Sequence, residues 1–159
     1  MSKISKKPLV SIKNLSKQFD DGHLAVDSVN LEVYPKEFFS LLGGSGSGKS
    51  TLLRMLAGFE EPTDGKIIID GVDMSNMPPY KRPVNMMFQS YALFPHMNIK
   101  QNIMFGLKQE KSLAKHDIET ATDRALSIIK MEHLAKRKPH KLSGGQRQRV
   151  ALARCLAKR

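Results

Sequence analysis

The 159-residue chain has no tryptophan, a single cysteine and few aromatics, which make up 6% of its residues. One thiol, Cys155, rules out an intrachain disulfide framework and suits a reducing compartment. It stands among Val150, Leu152 and Leu156 and reads as a packing residue. The sparse aromatics are not interleaved with arginine, which excludes a stacking platform for single-stranded nucleic acid. No run of about eighteen apolar residues occurs, so nothing reads as a membrane-spanning helix. Residues 1–8, Met1-Ser2-Lys3-Ile4-Ser5-Lys6-Lys7-Pro8, are basic but lack the apolar stretch of a signal peptide. Acidic residues are the other shortage: 15 Asp and Glu stand against 26 Lys and Arg, a formal net charge of +11. Such a balance by itself points to nucleic acid or an anionic surface. The local run Lys136-Arg137-Lys138 has a simpler reading as the solvated end of a helix, where cations suit the dipole.

Glycine, by contrast, is concentrated where it can do chemistry. Gly43-Gly44-Ser45-Gly46-Ser47-Gly48-Lys49-Ser50-Thr51 matches the phosphate-binding pattern G-x-x-x-x-G-K-[ST] in full. The apolar run Phe38-Phe39-Ser40-Leu41-Leu42 before it reads as a buried strand, and 52–57 after it as a helix ending at Gly58. Glycines let the backbone wrap a phosphate chain without Cβ clashes. The loop amides and the new helix N-terminus then aim partial positive charge at the anion. Lys49 adds a full charge toward the β- and γ-phosphates, and the Ser50 hydroxyl suits Mg²⁺. A flexible Gly/Ser linker would not sit between a strand and a helix.

A second glycine motif, Leu142-Ser143-Gly144-Gly145-Gln146, opens a helix that the pattern carries to Arg159. Ser143 and Gln146 have capping-box spacing, which leaves the amides of Gly144 and Gly145 at a positive helix end. Alone, this is an ordinary capped helix. With the first motif, in this order, it resembles the ATP-binding subunits of ABC transporters. That resemblance implies a head-to-tail pair of ATPase subunits, each signature motif (Ser143, Gly144, Gly145, Gln146) closing on ATP held by the other subunit's loop.

The resemblance extends from about Leu9 to the last residue. Phe88-Gln89 resembles the Q-loop, which implies that Gln89 reaches Mg²⁺ and the attacking water. Asn85-Met86-Met87-Phe88 before it suits a strand. Phe19 resembles the aromatic that stacks on adenine, with Val26 as its apolar neighbour; read alone, Phe19 suits a core position as well. Tyr91-Ala92-Leu93-Phe94-Pro95-His96-Met97 resembles the segment of importer ATPases that meets the membrane permease, and read alone it is equally a hydrophobic cover over the core. The wording of 52–60, 78–97 and 136–140 is most similar to the ATPase subunits of polyamine importers, the putrescine system above all. This implies a peripheral protein at the cytoplasmic face of the inner membrane, with ATP and Mg²⁺ as cofactors. Its partners would be a second ATPase subunit, the permease and, indirectly, a periplasmic binding protein, with no nucleic acid. A soluble ABC-type ATPase is the alternative, though the repair types carry a long coiled-coil insertion between the two motifs.

The family continues beyond the signature helix into a Walker B strand ending Asp-Glu, a switch histidine and usually a regulatory domain. This sequence ends at Arg159, so the resemblance implies a partial, catalytically incomplete ATPase domain, or a nucleotide-binding but inactive protein. It also implies that the excess of positive charge belongs to this stretch alone.

The expected fold class is α/β, an ABC-type nucleotide-binding domain of the P-loop NTPase class. A tail at 1–8 precedes a β/core part over about 9–90, a helical subdomain over about 91–142 and the signature helix over 142–159. Residues 9–13, 29–33 and 66–71 read as strands of an antiparallel sheet, with Asp20-Asp21-Gly22 as a turn. Asn98 to Leu107 reads as a helix capped by Asn98 with Gln101, and Asp117 to Met131 as another with Ile118, Ala121, Ala125, Ile128 and Ile129 on its apolar stripe.

Overall fold

A computed structural model describes residues 7–110 and 112–157. Most of the basic tail, with Lys158 and Arg159, lies outside the described residues. The chain divides into two compact units, Met1–Val84 and Asn85–Arg159.

The first unit is built on an antiparallel sheet of β1 (Val10–Gln18), β2 (Leu24–Val33), β3 (Asp64–Ile69) and β4 (Val72–Asp73), in the order β2-β1-β3-β4. Ile12 faces Leu31 on one side and Ile67 on the other. Ile12 and Leu15 are both buried, although an odd spacing would send them to opposite faces. A bulge resolves this. Asn14 adopts φ 47°, the register shifts between Ile12 and Leu15, and the Asn30 amide accepts from Asn14 N at 3.0 Å. Asp70 and Gly71, both at positive φ, form the two-residue turn that joins β3 to β4.

Helix α1 (Lys49–Ala57) buries Leu52 and Met55 in one cluster with Ile12, Leu15, Val26, Ile67, Ile69 and Met74. It ends at Gly58 in the left-handed conformation, as expected. Arg82 finishes this end. Its guanidinium donates to the carbonyls of Met55 (2.8 Å), Leu56 (3.1 Å), Met74 (2.9 Å) and Met77 (2.8 Å). Carbonyls at the end of α1 and after β4 thus share one charged partner.

The run at 38–42 departs from expectation. No strand among the described residues pairs with it, Phe38 and Leu42 are 95% and 93% exposed, and only Leu41 packs against the core. An apolar run becomes a buried strand only when neighbours supply its ladder and cover its faces, and among the described residues no strand supplies that ladder.

The second unit contains α2 (Ile99–Leu107), α3 (Lys115–Ile128) and α4 (Gly144–Ala157). Ile99, Ile103 and Leu107 of α2 pack with Ala125, Leu126 and Ile129, and with Val150, Ala153 and Ala157 of α4. The Asn98–Gln101 capping box is present in both directions. Helix α3 stops three residues short of Met131. Of its expected apolar stripe, Ala125 and Ile129 are buried and Ile118 and Ala121 pack against the cluster, but Ile128 is 58% exposed, and Thr122 and Leu126 are buried beside them. Residues 85–88 alternate exposed and half-buried as a strand would, but they form no ladder.

Candidate functional site

The phosphate loop lies in the first unit. Gly46 and Gly48 take φ 79° and 77°, a region that costs other residues strain. A Cβ on Gly48 would come 2.2 Å from the carbonyl oxygen of Ala25 and 3.3 Å from a methyl of Val26, so β2 abuts the loop. A Cβ on Gly44 or Gly46 would meet nothing within 4 Å. The loop is therefore tight on its inner side and open on its outer side, which is the shape a phosphate chain needs.

Lys49 starts α1, and its Nζ returns across the loop, donating to the carbonyls of Gly43 (2.8 Å) and Gly44 and to Ser47 Oγ (2.8 Å). No side chain caps α1 and no acid stands in its first turn, so its positive end is uncompensated. Ser45 and Ser50 are exposed, and Thr51 is half-buried. Exposed loop amides, the Lys49 ammonium and the exposed Ser45 and Ser50 hydroxyls thus lie in one short loop, a donor set whose chemistry fits phosphates, with the Ser50 hydroxyl suited to Mg²⁺.

Phe19 stands at the tip of the β1–β2 hairpin, closed by Phe19 N to His23 O at 2.9 Å and Gly22 N to Phe19 O at 2.9 Å. Its ring is 37% exposed, so it is not the core residue its type alone would suggest. Val26 is buried in the first unit's core with one methyl toward Gly48.

Gln89 and the signature belong to the second unit. Gln89 is exposed, in a turn closed by Tyr91 N donating to Phe88 O at 2.9 Å. Tyr91 and Ala92 follow at φ 64° and 44°, two successive residues in the left-handed region. Ser143 N donates to Gln146 Oε1 at 2.9 Å, and Gln146 N donates to Ser143 Oγ at 3.3 Å. The Ser143 oxygen serves the helix while its O–H remains able to donate outward. Ser143 and Gly145 are exposed, and a Cβ on Gly144 or Gly145 would meet nothing within 4 Å.

Three residues escaped the sequence reading. Asn102, fully buried in α2, accepts from Phe94 N at 2.8 Å and donates from Nδ2 to the carbonyls of Phe94, Met97 and Asn98 at 3.0–3.2 Å. It pins the 91–97 segment. A polar residue on an apolar helix stripe was its only signal. Arg154 of α4 lies over the Phe94 ring, 4.8 Å from the centroid, and donates to Ala92 O. Beside it Cys155 is half-buried, and burial pushes its thiol pKa up, opposed by the charge of Arg154. Leu152 and Leu156, expected around it, are 44% and 50% exposed, on the outward side of α4. Lys17 is the third; it stands over the Phe19 ring, 5.2 Å from the centroid.

A family model described as ABC transporter matches residues 26–159. Over 152 residues the chain is 64% identical to the putrescine transport ATP-binding protein PotG of Escherichia coli (strain K12), covering 96% of this chain and 40% of that protein. It is 51% identical to the spermidine/putrescine import ATP-binding protein PotA of Marinobacter nauticus, covering 97% and 41%. The chain thus spans about two fifths of the length of these curated relatives. Among solved structures, a bacterial ABC transporter cassette in dimeric form superimposes with a TM-score of 0.85 at 30% identity, over 94% of this chain and 69% of that one. A dimeric ATP-binding cassette bound to ADP and Pi gives 0.84 at 31% identity, with the same coverage.

Proposed function

Because the chain belongs to the ABC transporter family, we propose that it forms the ATP-binding part of an ATPase subunit that powers polyamine import, with putrescine as the solute class. The observation that carries the nucleotide reading is the loop at 43–51, with its outer face open and Lys49 drawn across it. The solute reading rests on the names of the PotG and PotA relatives.

In this reading Gly43, Gly44, Ser45, Gly46, Ser47, Gly48, Lys49 and Thr51 hold the triphosphate. Ser50 and Gln89 serve Mg²⁺, which when bound neutralises phosphate charge. Phe19 and Val26 receive the base. Ser143, Gly144 and Gly145, kept in register by Gln146, act on nucleotide held by a second copy. The dimeric state of the two solved cassettes supports that pairing. The 91–97 segment, fastened by Asn102 and Arg154, is the docking surface for the permease, and it places the subunit at the cytoplasmic face of the membrane. A periplasmic binding protein would meet it only through the permease.

Titration with a fluorescent ATP analogue tests the core of this. Lys49→Ala removes the only full charge in the loop and is expected to abolish binding. Equal affinity of the two proteins would overturn the reading.

A further inference from the structure

The end of β1 is fastened more firmly than an exposed hairpin needs. Lys17 is the penultimate residue of β1, and Phe19 directly follows the strand's last residue, Gln18. The Lys17 ammonium lies 5.2 Å from the Phe19 ring centroid. The same nitrogen pairs with Glu60 at 2.6 Å and donates to Glu61 O at 2.9 Å. The side chains of Lys17 and Glu60 are only 15% and 25% exposed, so the pair is largely withdrawn from water. The segment that brings Glu60 is itself clamped to β1: Thr63 N donates to Ser16 O at 2.9 Å, and Gln18 N to Thr63 Oγ1 at 3.0 Å. His23 adds a second ring within 5° of parallel to Phe19, centroids 6.4 Å apart. From this tip β2 runs through Ala25 and Val26, the residues that abut Gly48 of the phosphate loop.

We propose that Lys17 is a positioning residue for the nucleotide base. Resting on the nucleotide reading above, it holds the Phe19 ring by cation–π attraction, with the parallel His23 ring beside it, so that the part of the ring left exposed is preset to stack a purine. The stretch from His23 into β2 as far as Val26 sets that ring at a fixed reach from the loop. The ion pair with Glu60 serves to immobilise the ammonium. A side chain free to leave would give the ring no fixed orientation.

The test compares two ligands by calorimetric titration of the whole chain: Mg-ATP, and Mg-tripolyphosphate, which lacks the base. Lys17→Met keeps the aliphatic stem and removes the charge. It is expected to lower the preference for ATP over tripolyphosphate by roughly threefold to tenfold, the range a partly covered cation–π contact supports, with tripolyphosphate affinity unchanged. Lys17→Arg should restore most of the preference. An unchanged preference, or equal weakening of both ligands, would overturn the proposal and reduce Lys17 to a clamp on the 60–63 segment. Should Lys17→Met fail to fold, Glu60→Gln loosens the ammonium without removing it and gives the same readout. Lys49→Ala separates the two levels of argument. If it leaves both ligands bound, the nucleotide reading itself fails.

Discussion

Gly44 and Gly48 lie four residues apart in one loop, and the structure assigns their lost hydrogens opposite consequences. At Gly48 a methyl group meets two obstacles. The backbone is at φ 77°, where an L-residue costs about 1–2 kcal/mol. Its Cβ would also lie 2.2 Å from the Ala25 carbonyl oxygen, so about an ångström of movement is needed between the start of α1 and the edge of β2. Both are backbone, and neither can turn aside as a side chain would. Overpacking of this kind costs about 1–3 kcal/mol. Together Gly48→Ala should lose about 2–5 kcal/mol, against a total of about 5–15 kcal/mol for a domain. At Gly44 the same methyl meets nothing within 4 Å. Gly44→Ala should therefore melt like the parent, within about 0.5 kcal/mol for an exposed position. Its methyl would instead stand on the open side of the loop and weaken ATP. Urea unfolding and nucleotide titration on both variants separate the effects. The reasoning fails if Gly48→Ala unfolds with the parent, or if Gly44→Ala loses as much stability as Gly48→Ala.

Two further outcomes are expected. Asn102→Leu strands the half-buried N–H of Phe94, whose C=O keeps the Met97 N–H, and should cost about 1–3 kcal/mol in urea unfolding. It should also open 91–97 to limited proteolysis, and a variant as stable and as resistant as the parent would refute the pinning role. For Cys155 the folded-state pKa is raised, because burial disfavours the thiolate. Its contribution to stability is thus present below the unfolded thiol value of about 8.5 and lost as pH rises through the folded value. Labelling with a disulfide reagent at pH 8 should be slower in the native chain than in urea, and equal rates would contradict the burial.

What the sequence made legible was local. The two capping boxes at Asn98–Gln101 and Ser143–Gln146, the Gly58 helix stop and the Asp20-Asp21-Gly22 turn each depend on residues within four positions of one another. The loop at 43–51 is of the same local kind, and the structure gives Gly46 and Gly48 the positive φ its glycines allow. The readings that moved depend on a partner elsewhere. The 38–42 run has strand composition, but a strand is a pairing, and its neighbours among the described residues do not pair with it. Ile128 fits the helical period of α3, yet which side of a stripe is covered depends on where α2 and α4 lie, and they cover Leu126 rather than Ile128.

The residues that fasten the proposed functional surfaces belong to this second kind. Lys17 meets Glu60 across 43 positions, Arg154 meets Ala92 across 62 and Arg82 meets Met55 across 27. In each case a long cationic side chain reaches an oxygen or a ring far away in sequence. A composition with 26 Lys and Arg offers many such cations and no sign of which are engaged. These three share a physical trait visible only after folding. Lys17 is mostly covered, and desolvation lowers the pKa of both Arg82 and Arg154. A cation withdrawn from water must be held by more than one acceptor or it leaves. Each of these three has at least two: carboxylate, carbonyl and ring for Lys17, four carbonyls for Arg82, ring and carbonyl for Arg154. Two of them lie directly against Phe19 and Phe94, in the segments proposed to meet the base and the permease. Within an abundant positive charge that reads as solvation, it is the covered fraction that shapes those two surfaces.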